Sequence, residues 1–143
     1  MYRARMSKEA LVAAVKQIVS IAREGNLDGA YQGYSALFSD PGFLEQRPED
    51  QRQALRLMVL AKNLPPKPTP AMIEAHRSAL PALTELVSHY HEPSDYEMLG
   101  VCHVLLGNED SAREIFREGL RLEREHNAQS DLCGSLMKRI SFL

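Results

Sequence analysis

Gly107-Asn108-Glu109-Asp110-Ser111-Ala112 nearly repeats an earlier stretch, Gly25-Asn26-Leu27-Asp28-Gly29-Ala30, with Gly, Asn, Asp and Ala at the same four relative positions. In both copies an aromatic follows the Ala by four residues (Tyr34, Phe116) and a large apolar residue follows by eight (Phe38, Leu120). Glycine can take the left-handed conformation that ends one helix, and the Asn can cap the start of the next. The Ala lets the second helix lie close to the first, and the aromatic four residues on shares its face. Two copies of a helix-turn-helix hairpin imply a repeat architecture.

Outward from these corners, helical spacing dominates. Over residues 7–24, Leu11, Ala14, Val15, Ile18 and Ala22 recur as one stripe, with Val12 and Val19 as a second beside it. A second helix follows to about residue 38, and Asp40-Pro41 reads as a cap and first helical position. Pro48 with Glu49 and Asp50 opens a third helix, expected to stop near Asn63. Residues 64–70 hold four prolines and read as a stiff surface loop, its PxxP match included. Thr69-Pro70 opens a fourth helix to about residue 90, with a kink or break expected at residues 78–80 because of Pro81. Pro93-Ser94-Asp95 starts a fifth helix, Gly107-Asn108 turns it into a sixth, and a last amphipathic helix begins near Ala128 or Ser130. No segment alternates with period two, so no sheet is expected. The expected architecture is all-α: three antiparallel hairpins, about residues 7–44, 48–91 and 93–126, with a cap over 128–143 in one domain.

Composition sets limits on partners. The chain of 143 residues is 44% hydrophobic and 25% charged, the balance of a globular protein able to bury a core. A formal net charge of -2 gives no basic face for nucleic acid, and the short basic start (Arg3, Arg5, Lys8) reads as a solvated terminus. Cys102 and Cys133 lack the pattern of a disulfide framework and sit among apolar neighbours, so reduced, buried thiols are expected. Lys8, Glu9 and Lys16 interrupt the early apolar run, no signal cleavage site follows clearly, and no uncharged span is long enough for a bilayer. Cytoplasm is the expected location, with no membrane partner.

The segment over residues 93–126 resembles a tetratricopeptide repeat, through Tyr96, Leu99, Gly100, Gly107, Ala112 and Phe116 at the family's spacings, then Gly119 where the family usually has Ala. His103 replaces the usual Tyr, and Arg124 stands where a helix-ending Pro is common. The earlier copy, about residues 11–44, keeps Gly25, Ala30 and Tyr34 but has Gln17-Ile18 in place of Leu-Gly, a degenerate member. The two corners are 82 residues apart, where two standard repeats take ~68, so the middle hairpin must hold the excess. The resemblance implies a right-handed superhelical array that binds segments of other proteins on a concave face lined by the first helix of each hairpin. Carried over by position, that face comprises Val12, Val15, Val19, Arg23, Glu97, Val101, Val104 and Leu105, with Gln53, Arg56 and Leu60 as looser candidates. The family's clamp for a chaperone's acidic C-terminus needs Lys and Asn where Val15 and Val19 stand. An apolar helix or extended segment suits this array better. The stronger expectation is that the valines are core, covered by the terminal helix or by a second copy of the chain, since large exposed apolar patches are rare on monomers.

Chemistry has few candidates. His89, His91, Cys102 and His103 are ligand types, but a spacing of two on a helix turns side chains apart, and adjacent Cys102-His103 cannot easily share an ion. The acids of residues 109–123 interleave with Arg113, Arg117 and Arg121 as a paired, solvated face rather than an acid/base pair in a cleft. Neither a nucleophile elbow nor a phosphate-binding glycine loop is present. The expectation is a non-enzymatic module without cofactor or metal, acting as adaptor, co-chaperone or assembly factor. A self-associating scaffold is the alternative, and a small metal-dependent hydrolase is a remote one.

Overall fold

The computed structural model describes residues 6–143, so Arg3 and Arg5 lie outside the described residues. Among the described residues the regular structure is all helical: α1 (Lys8–Arg23), α2 (Leu27–Ser39), a 3-10 turn (Pro41–Phe43), α3 (Pro48–Val59), α4 (Pro70–Ser78), α5 (Leu80–Tyr90), α6 (Pro93–Leu105), α7 (Glu109–Asn127) and α8 (Asp131–Ser141). None of these helices is long and apolar enough to cross a membrane. The chain divides into two compact units, Met1–Ala82 and Leu83–Leu143.

Local chemistry explains most starts. Ser7, Thr69 and Ser130 cap α1, α4 and α8 by accepting from Ala10 N (3.0 Å), Met72 N (3.2 Å) and Cys133 N (3.2 Å). Pro48, Pro70 and Pro93 occupy first-turn positions, where a missing N–H costs nothing. The two repeated corners are built alike. Gly25 (φ 89°) and Gly107 (φ 81°) are left-handed, and each corner has a paired set of closing bonds. Gly25 N donates to Ala22 O and Asn26 N to Ile21 O; Gly107 N donates to Val104 O and Asn108 N to His103 O. The Asn residues then diverge. Asn26 caps α2 through Gly29 N (2.9 Å), as expected, whereas Asn108 makes no cap bond because its amide meets His103 Nδ1 at 3.3 Å.

Pro81 breaks the expected fourth helix at Ala79, dividing it into α4 and α5, as a ring without an N–H must. His91 (φ 52°), a non-glycine, makes the left-handed corner after α5. The middle of the chain departs from expectation in two ways. α3 ends at Val59 rather than near Asn63, tightening through Ala61 N to Met58 O. Nor do α3 and α4 form a closely packed pair; in the first unit the close backbone packing is α1 on α2 and α2 on α4. The proline-rich loop separates α3 from α4 instead of folding them into a tight corner.

In the first unit, Tyr34 stacks on Phe38 (centroids 5.6 Å) and Phe38 tilts on Phe43 (5.0 Å), all buried with Ala30 and Leu37. His76 of α4 is buried, donating Nδ1–H to Met72 O at 2.8 Å, with its ring 6.1 Å from that of Tyr31. In the second unit α7 packs on α6 and α8 on α7. Ala112, Phe116, Leu120, Cys133 and Leu136 form a buried cluster between α7 and α8, with Val101 and Ile140 packed against it.

The two hairpins fill their seams from opposite sides. In the second, Gly100 of α6 lies under Phe116, whose ring would come within 2.2 Å of an added Cβ. In the first, the residue at the equivalent α1 position is Ile18, and it is α2 that supplies the glycine: a Cβ on Gly33 would meet Ile18 Cγ1 at 2.7 Å. Helix axes must stay near the same separation, so a large residue on one side requires a small one opposite. The loss of Leu-Gly at Gln17-Ile18 is therefore compensated by Gly33.

Candidate functional site

In the first unit α1 and α3 run side by side in the same direction. Lys8, Leu11, Val12 and Val15 face Asp50, Gln53, Ala54 and Leu57 around a small recess of about 200 Å³. Farther along, Val19, Ala22 and Arg23 face Gln53, Arg56, Leu57 and Leu60 across a larger groove of about 910 Å³. Gln53 and Leu57 border both recesses, so the seam is continuous along the two helices. The groove's size lies in the usual range of ligand sites.

The groove follows from local sequence. Ala30, Tyr31, Tyr34 and Met58, all buried, form its floor. Burial pushes the phenols of Tyr31 and Tyr34 above their ordinary value, and the Asp28 carboxylate adds to the effect on Tyr31. Both therefore stay neutral hydrogen-bonding groups near pH 7. Because α3 ends early, Leu60, Ala61, Lys62 and Asn63 leave the helix and close one end. Apolar side chains remain open to water along the seam: Val12 is 41% and Leu57 48% exposed. Arg23, Arg56 and Lys62 are exposed and no carboxylate lines the larger groove. The nearest acids by sequence are Glu24, beside Arg23, and Asp28, which accepts from Thr69 Oγ1 at 2.7 Å. At the other end Lys8 Nζ and Asp50 Oδ1 form a loose pair at 3.8 Å.

Val19 and Arg23 thus line the larger groove with Gln53, Arg56 and Leu60, and Val12 and Val15 line the adjoining recess. The α6 residues divide differently. Glu97 is buried and accepts from Ser135 and from Arg139 Nε (2.9 Å), both on α8. Val101 packs against the α7–α8 core. These two are not open lining, because α8 covers them; Ser135 and Arg139, four apart on one helical face, suit a single carboxylate. Val104 is exposed and Leu105 half-buried. Ala22, Leu27, Ala30, Tyr31, Tyr34, Leu57, Met58 and residues 61–63 are lining that sequence reasoning missed.

No three or more His, Cys, Asp or Glu among the described residues could hold a metal together. Cys102 is fully buried, and burial pushes its thiol up to about 12. His103 is half-buried against Asn108, and His91 approaches the Tyr96 hydroxyl at 3.4 Å. Comparison with family models, curated proteins and solved structures finds no match.

Proposed function

We propose that the chain is a tetratricopeptide-like protein-binding module whose first unit holds a segment of another protein in the α1–α3 seam. One observation carries the reading: an open groove of about 910 Å³ that continues into an exposed apolar strip along two parallel helices. Exposed apolar side chains that line a concave surface mark interaction sites more often than scattered ones do. The tetratricopeptide reading is supported by two left-handed glycine corners, each followed by a buried Ala and a buried aromatic. A role as adaptor, co-chaperone or assembly factor in the cytoplasm fits a module of this kind.

The test uses the whole chain and a Leu57→Glu variant. Leu57 is half-exposed, so the charge leaves the core intact, and matching thermal melts verify this. Proteins retained from the source lysate by wild type are purified and remeasured in binary titrations. A binary partner that loses affinity for Leu57→Glu supports the groove. Partners that bind both forms equally place the function elsewhere, and a concentration-dependent dimer lost in the variant replaces the partner with a second copy of the chain.

A further inference from the structure

We infer that the groove receives an acidic amphipathic helix. Its apolar stripe would lie along Val19, Leu57 and Leu60, and its carboxylates would meet Arg23, Arg56 and Lys62. The inference rests on the protein-binding reading above and specifies the segment that reading leaves open.

The backbone chemistry of the groove selects a helix. An extended segment leaves its N–H and C=O groups to be satisfied by the receptor, and strand addition needs a free sheet edge. Among the described residues the first unit has no strand, and the groove's neutral polar side chains are Gln53, Asn63 and the floor phenols of Tyr31 and Tyr34. A helix satisfies its own backbone and asks only for an apolar strip, which the seam supplies.

Charge selects the acidic kind. Arg23 and Arg56 lie in the last turns of α1 and α3, and Lys62 follows just beyond, so the parallel helices gather three cations at one end. Part of that charge answers the helix ends themselves. Two helix C-termini contribute about −0.5 each and the N-terminus of α2 about +0.5, well short of three full positive charges. Among the described residues no ion pair engages these three, and none of the lining residues is acidic. A segment with acids flanking its apolar stripe gains attraction there, and a basic one is repelled.

The test is a displayed library of helical peptides with a fixed leucine stripe and randomised flanks, selected on the full chain and counter-selected on Leu57→Glu. Enriched peptides are then titrated against wild type and against Arg23→Gln, Arg56→Gln at low and high salt. Flanks enriched in Asp and Glu are expected, with about tenfold weaker binding to the double variant and a shallower salt dependence. Peptides that need Leu57 but carry neutral or basic flanks, or bind the double variant equally, overturn the acidic inference and leave the groove reading standing. If nothing selected depends on Leu57, the groove reading fails with it.

Discussion

At the scale of single residues, two positions have consequences that can be measured directly. Gly107 holds φ 81° with nothing within 4 Å of where a Cβ would be, so conformation alone fixes its identity. Gly107→Val forces a β-branched side chain into the left-handed region and is expected to cost about 1–2 kcal/mol, read as a lowered midpoint in denaturant. An unchanged midpoint would mean that the corner relaxes. Cys102 and Cys133 are both free and buried, and Cys133 Sγ donates to Asn127 O at 3.4 Å. With the Cys102 thiol pushed up to about 12, almost none is thiolate at neutral pH. Both thiols are expected to resist a thiol-reactive dye in the native protein and to react on unfolding; fast labelling without unfolding would contradict this burial. These residues were readable from sequence because their reasons are local. Asn108 was not: its capping role is lost to His103, which stands five residues away in the chain.

At the scale of elements, the exchanged seam offers a thermodynamic cycle. Gly33→Ala should drive a methyl into Ile18 and lower stability, its overpacking offset in part by the better helix propensity of Ala. Ile18→Ala alone should cost about 2–5 kcal/mol through the cavity it leaves. The double variant should be less destabilised than the sum of the two, with a coupling of about 0.5–3 kcal/mol. Strict additivity would mean that the side chains do not share the seam. Helix starts, corners and the break at Ala79 were legible because Pro, Gly, Ser and Thr act within a turn of themselves. The early end of α3 and the pairing of α2 with α4 were not, since no residue in the proline-rich loop encodes which helix its neighbours meet. The candidate site was half legible for the same reason. The tetratricopeptide resemblance, carried over by position, singled out Val12, Val15, Val19 and Arg23, while residues 61–63 line the groove only because α3 stops short.

At the scale of the whole molecule, buried imidazoles tie stability to pH. Burial holds His76 below its ordinary value of 6.5, against a smaller raising effect of its bond to Met72, and burial also lowers His103. Both bind protons more weakly folded than unfolded. Their contribution is complete above the unfolded value and is lost as pH falls from about 6.5 toward the folded values. The melting temperature should therefore drop between about pH 7 and pH 5, above the range in which Glu118, held low by its hydrogen bond from Arg121, begins to protonate. His76→Phe should flatten that slope, whatever it does to stability at neutral pH; an unchanged slope would shift the effect to other groups. The seams also bear on how the chain finds its native partners. A molecule that spells one hairpin twice risks joining the front of one to the back of the other while it folds. Setting α1 against α7 would bring Ile18 into collision with Phe116, and setting α6 against α2 would remove the side chain for which Gly33 leaves room. Each half thus fits its own mate and refuses its look-alike, as two locks cut from one blank refuse each other's keys.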